Sequence, residues 1–487
     1  MPQRSRATFA TSTPSDVGST PVRAPAFVAA VASLVLGAST HVWAYPFLQP
    51  RPVPDAIAGP TDPHPAAAFY NPAALGFLRG VHLFLDGAAD ASFGSIKRDG
   101  SASSTTIASA SPQTFAGLTW DLGTDSFDLG LAVYTPFSEL SSYPTSSPVR
   151  YQEQYQRFAS LEETFAAAWK IENHIAVGAG LIIDENWIDY GYAHDLAPAG
   201  GSALVSQANE LCGGAACGYE NPLAQQNVKL RGYATGIGFT VGAVGRPVDR
   251  LWLGLSYTSH QTGGDLFMTS TAGARVKAAP GQGGYVAGGD DRVVMLLPEM
   301  IQAGVRIQAT PTLDIEAQWR FVHYGARHEL DVSLQGGGIA TTGIASGFAL
   351  DRGLQNSYMI EVSTRHQITP YLRLSPSLAL ETSAVAADAV SAAALDAPKL
   401  DAALTFEWRV WRSGLHSVQV GGHAGVTGYF VHHVDSRFNS QAEVSCVDAQ
   451  YSLAACAQLD AGSALPSASG DYTLVVVNLG ASVGFSY

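Results

Sequence analysis

Residues able to do chemistry are few in this chain, and their spacing suits catalysis poorly. The stretch FVHHVD brings His432, His433 and Asp435 within four positions. Adjacent side chains on a strand face opposite ways, so the two imidazoles make a poor shared metal site and read as a hydrated strand end. A hydrolase would need a Ser or Asp nucleophile paired with a His on one surface, and no nucleophile elbow stands out. The expectation is a protein that is not an enzyme and uses no cofactor or metal.

The four cysteines form two local pairs, Cys212 with Cys217 in LCGGAACG and Cys446 with Cys456 in SCVDAQYSLAAC. Even number, short separation and the export signal described next favour two small disulfide loops, with a zinc site as the alternative. The sustained apolar run FVAAVASLVLGAST, residues 27–40, follows Arg4, Arg6 and Arg23 and ends in small residues. It is too short for a comfortable membrane span and fits a signal peptide of residues 1–44, cleaved after Ala44. Only 14% of the 487 residues are charged, glycines number 50, and the net charge is −14. That balance, with no basic cluster, excludes a nucleic-acid partner.

The elements that must position these residues are strands. In LVVVNLGASVGFSY, Val475, Val477, Leu479, Ala481, Val483, Phe485 and Tyr487 share one face, opposite Asn478, Ser482 and Ser486. Leu313 to Phe321 and Leu404 to Val410 alternate in the same way, with charged residues on the second face. About fourteen such segments are expected, near 80–95, 113–121, 127–136, 155–171, 174–191, 229–243, 251–271, 292–308, 312–333, 354–368, 371–383, 399–411, 415–433 and 472–487. Links after even strands are short and those after odd strands long, as in a transmembrane antiparallel β-barrel of outer-membrane type. A secreted sandwich or propeller would give no reason for alternating link lengths, and no repeat of 40 to 50 residues is present. The chain is therefore read as all-β. In a barrel the polar faces line the lumen, including Asp128, Arg306, Glu316, Arg320, Arg373, Glu381, Glu407 and Arg409. These read as a lumenal ion-pair network, or, for Arg306 and Arg320, as candidates to bind a substrate's head group.

Before the first strand stands AAAFYNPAALGFLRG, residues 66–80, an apolar stretch with a turn-forming Asn-Pro. It resembles the Asn-Pro-Ala segment of the FadL/TodX family, outer-membrane transporters of long-chain fatty acids and aromatic hydrocarbons. MLLPEMIQAGVRIQATPTLDIEAQWRFVHY from Met295, LDAPKLDAALTFEWRV from Leu395 and the terminal LGASVGFSY are similar to that family's later strands. The resemblance implies a fourteen-stranded barrel over residues 80–487, plugged by an N-terminal hatch over 45–79 with Asn71, Pro72 and Ala73 as its motif. It further implies capture of substrate between external loops and lateral release through a kinked third strand, for which Gly130 and Pro136 are the candidates. Family hatches begin with a glycine-containing stretch, whereas YPFLQPRPVPDAIAGPTDPHP is rich in proline and favours an extended path.

The resulting expectation is an outer-membrane channel of a Gram-negative bacterium for passive uptake of long-chain fatty acids or related hydrophobic ligands. Its surroundings are outer-membrane lipid and lipopolysaccharide, and one chain supplies enough strands to close alone as a monomer. An adhesin or structural barrel whose long loops bind a partner is the alternative, followed by a polar-solute porin.

Overall fold

A computed structural model describes residues 51–54, 57–195, 209–210, 212–215, 217–218, 220–260, 266–269, 275–277, 285–287, 292–295, 297–326, 329–333, 347–414, 416–437 and 467–487. The expected signal peptide, the start of the proline-rich lead, Cys446 and Cys456 lie outside these residues.

Fourteen antiparallel wall strands close on themselves. In order they are Val81–Arg98, Thr105–Trp120, a third strand in two pieces (Phe127–Tyr134 and Ser138–Ser142), Tyr155–Ile171, Ile175–Asp195, Gln225–Val248 and Leu251–Ser259. There follow Met300–Thr310, Leu313–Val322, Ser357–Gln367, Leu372–Glu381, Lys399–Ser413, His416–Tyr429 and Gly470–Ser486. The last strand pairs with the first from His82 opposite Ser486 to Arg98 opposite Gly470, which leaves the sheet no outer edge. Lipid offers no hydrogen bonds, so closure is the one way a spanning sheet satisfies its backbone.

Period-two alternation decides which face looks where. Trp169, Phe165, Leu181, Ile237, Leu255, Ile360, Leu380 and Phe406 are exposed on the outside. Asp128, Glu162, Asp184, Arg320, Glu361 and Lys399 are buried on the inside. Links at one end are two to six residues long, at 121–126, 172–174, 249–250, 311–312, 368–371 and 414–415. At the other end most are long, which identifies it as the external end.

Several boundaries differ from the sequence reading. The second strand begins at Thr105, not 113, because TTIASASP carries small side chains in place of an apolar alternation yet pairs fully with the first strand. The seventh strand stops at Ser259, not 271, the eighth begins at Met300, not 292, and the ninth stops at Val322, not 333. The alternating residues beyond them, 266–269, 292–295, 329–333 and 347–351, form a separate four-stranded sheet. A half-covered strand has the same period wherever it lies, so periodicity alone does not tell wall from projection.

Candidate functional site

The segment leading into the first strand packs against the inner wall. Ala67–Tyr70 form one helical turn and Pro72–Phe77 a 3₁₀ turn. Asn71 joins them: its backbone is extended, and its side-chain oxygen accepts from the N–H of Ala73 at 3.1 Å. Proline is suited to the first helical position because that N–H would go unused. The Asn71 amide nitrogen donates to the carbonyls of Pro60 (2.8 Å) and of Ala243 in the sixth wall strand (3.1 Å). The residue thus caps a turn, ties two stretches of the segment together and pins both to the wall.

The wall is cut away to receive it. Gly178 and Gly242 are directly paired neighbours on the fifth and sixth strands. A Cβ on Gly242 would lie 2.0 Å from Asn71 Oδ1, and one on Gly178 would lie 2.4 Å from the Ala73 nitrogen. Gly130 plays the same part for Leu75, whose Cδ1 would be 2.7 Å from an added Cβ. It sits in an unbroken ladder between Thr119 and Ala166.

Charge adds a second anchor. Asp62 of the segment receives both guanidinium nitrogens of Arg365 and pairs with Arg306 at 3.1 Å. Glu316 accepts from Arg365 at 2.9 Å and from Thr61 Oγ1 at 2.7 Å. Burial opposes ionisation of Asp62, but Arg365 and then Arg306 outweigh it and hold the carboxyl below its ordinary value of 3.8. Arg306 also stacks 4.2 Å over the Trp252 ring. Arg320 lies 5.7 Å from the Tyr70 ring centre and donates to Gln302, which in turn donates to the Tyr70 carbonyl. Both candidate head-group arginines are therefore engaged with the segment and its supports.

Phe69 of the segment forms a ring cluster with Phe115 and Tyr134 of the wall, with Phe69–Tyr134 at 5.2 Å and Phe115–Tyr134 at 5.9 Å. Tyr134 is the last residue before the third strand breaks at 135–137. Facing the fourth strand, Tyr134 pairs with Glu162 but Ser138 pairs with Ala159, so three residues oppose two and the side-chain alternation flips. Facing the second strand, the ladder ends at Phe115–Tyr134, prolonged by the Thr135 N–H to the Thr114 carbonyl at 3.0 Å. Beyond that, among the described residues, Ser138–Ser142 has a ladder to the fourth strand alone. Pro136 lies in this break and Gly130 does not.

The external end is filled by a segment that sequence reasoning missed. Val385, Ala389, Val390, Ala392 and Leu395, from the link 382–398, are buried against Ile96, Ile107, Tyr143, Tyr472 and Leu474. The charge-poor run SAVAADAVSAAALDA was its only signal. A small cavity of about 50 Å³ is lined by Arg51, Asp90, Glu361, Glu381 and Asp401 among others. Cys212 and Cys217 form a disulfide in the link after the fifth strand. His433 lies exposed near Asp99, Asp435 and Asp471, and no cluster able to hold a metal is found among the described residues. Gly480-Ala481-Ser482-Val483-Gly484 has the glycine spacing of a nucleophile elbow, but it lies inside the uninterrupted last strand, not at a strand-to-helix turn.

The family model described as outer membrane protein transport protein (OMPP1/FadL/TodX) matches residues 55–405. The chain belongs to this family. A FadL homologue from Pseudomonas aeruginosa superposes with a TM-score of 0.68 at 14% identity, covering 92% of this chain and all of that one. The Ralstonia pickettii toluene transporter TbuX gives 0.57 at 15% identity, covering 88% and 98%. The Pseudomonas putida toluene transporter TodX gives 0.59 at 15%, covering 92% and 99%. At these identities the superpositions establish the shared barrel. No curated protein sequence matches the chain. As a FadL/TodX family member it is an outer-membrane transport channel for hydrophobic compounds in a Gram-negative envelope, and not an enzyme.

Two outcomes follow from the anchoring. Gly242→Val forces a side chain into Asn71, so amides of residues 57–76 exchange faster with deuterium and ion conductance appears in planar bilayers. Gly87→Val, at a position with open space around it, leaves both unchanged. Asp62→Asn leaves Arg365 and Arg306 short of a counter-charge at a cost of about 3 kcal/mol, which speeds exchange of the same amides about 100-fold. A carboxyl held low contributes stability above its unfolded value and loses it as pH falls through the folded one, so in the wild type the contribution of Asp62 is lost progressively as pH falls from about its ordinary value of 3.8 toward the lower folded value.

Proposed function

We propose that this channel takes up long-chain fatty acids or related hydrophobic compounds, aromatic hydrocarbons among them, and releases them sideways through its third strand. The reading rests on the break at 135–137, where an apolar ring cluster on the inside meets a gap in the wall ladder. A lapse in wall pairing leaves backbone groups without ladder partners, and it offers a place where something can pass between the strands. Apolar cargo gains nothing from leaving into the periplasm, whereas an exit at wall level delivers it into hydrocarbon.

In this account residues 45–79 are the hatch and Asn71-Pro72-Ala73 its motif. Pro136 belongs to the lateral gap, Gly130 to the seat of the hatch, and Arg306 and Arg320 to its anchoring. The external link that carries the Cys212–Cys217 disulfide serves as capture surface. The buried hatch counts against a polar-solute porin, which needs an open lumen.

The test is uptake of labelled oleate and toluene by cells lacking their own transporter. Deleting Pro136 restores one-to-one pairing between the third and fourth strands, and uptake is expected to fall to background while the barrel keeps its heat-modifiable gel mobility. Unchanged uptake in the deletion variant refutes lateral release. Absence of uptake of either compound by correctly inserted wild type refutes the cargo class and favours an adhesin.

A further inference from the structure

On the outer wall beside the broken strand, three rows of residues cross the fourth, fifth and sixth strands in register. The lowest is Ala159, Trp187 and Tyr233, the next is Arg157, Asp189 and Arg231, and the highest is Tyr155, Gly191 and Lys229. Trp187 and Tyr233 pack at a tilt with ring centroids 5.6 Å apart. Ten residues below Trp187 on the fifth strand is Val177, opposite the exposed Trp169. Ten residues of a tilted strand rise about 25 Å, the height of the apolar band of an outer-membrane barrel. The Trp187–Tyr233 row therefore marks the upper edge of the hydrocarbon, and the arginine row lies at head-group level.

That row is built, not merely charged. Asp189 pairs with Arg231 at 2.7 Å and accepts from Tyr155 OH at 3.1 Å, which fixes both. The Tyr155 ring lies across Gly191, where an added Cβ would be 2.2 Å from the ring. Arg157 sits 5.8 Å from that ring's centre and Lys229 6.0 Å, so the ring gathers two further cations beside Arg231. Among the described residues the facing carboxylates are Asp189, already paired, and Glu185 two rows below the cations on the hydrocarbon side. Beneath the cations lies a groove of about 320 Å³ with an apolar floor that includes Leu140, Trp187 and Tyr233. In a chain of net charge −14, three cations on one outward patch over an apolar groove are complementary to one class of molecule.

We propose that this patch binds one phosphorylated glycolipid of the outer leaflet, with the phosphate on Arg157, Arg231 and Lys229 and an acyl chain in the groove over Leu140, Trp187 and Tyr233. Arg157 and Arg231 stand directly opposite Asp189 on its two neighbouring strands, so both guanidinium groups belong to one stretch of outer wall. The groove also reaches Leu140 in the outer piece of the third strand, so the bound lipid would brace the strand that has no second ladder. The site depends on the outer-membrane location that the family establishes and is independent of lateral release.

The experiment places the purified full chain in nanodiscs containing a bis-phosphorylated lipid A and counts retained lipid by native mass spectrometry. One retained lipid is expected for wild type, with retention falling about tenfold or more in R157E/R231E and by a smaller factor in R157Q. Both variants should keep heat-modifiable mobility. The exposed R157Q side chain secures the test should the double variant fail to insert. Equal retention of dephosphorylated lipid A, full displacement by inorganic phosphate, or unchanged retention in R157Q and R157E/R231E would each overturn the proposal.

Discussion

Everything in this structure follows from the need of each backbone amide for a partner where lipid supplies none. The first and last strands meet over their whole length, so the sheet has no edge to expose. Against that rule the third strand stands out. It loses register by one residue at 135–137, and its outer piece is laddered on one side among the described residues. A wall that is otherwise complete makes a local lapse in pairing a place to look for passage.

Closure also turns the usual protein inside out. Apolar side chains such as Phe165 and Leu380 face outward, and the lumen must then accommodate Asp62, Glu316, Arg306 and Arg365 without bulk water. These groups solve the problem mutually. The two arginines neutralise two carboxylates, and one of the carboxylates belongs to the N-terminal segment, so satisfying the lumen's charges and seating that segment are the same event. Asn71 does the corresponding work for backbone groups, and the paired glycines Gly178 and Gly242 clear the space it needs.

Much of this was legible beforehand. The alternation of residues 475–487, 313–321 and 404–410 identified wall strands, and the link lengths identified the two ends. Asn71-Pro72 stood out as a turn inside an apolar patch, and Pro136 as a residue able to weaken ladder pairing. Other features left no local trace. Thr105–Pro112 form a strand although their pattern is that of a loop, because the neighbouring first strand supplies the pairing. Arg306 and Arg320 read as available cations because their partners lie far away in the chain, at Asp62 and Tyr70. Gly130 looked like a weakness in a strand, whereas its lack of a side chain accommodates Leu75.

By itself, then, the sequence determined the class of solvent on each face. Period-two alternation is a local property, and with few charges, many glycines and alternating link lengths it leaves an exported, closed, lipid-facing barrel. Which inward charge meets which, where the wall is cut to receive the segment, and that cations at 157, 229 and 231 share one patch were decided by tertiary structure alone. Those facts depend on strand register, and register is set jointly by all fourteen strands as they close. A shift of one residue would move every side chain of a strand to the opposite face.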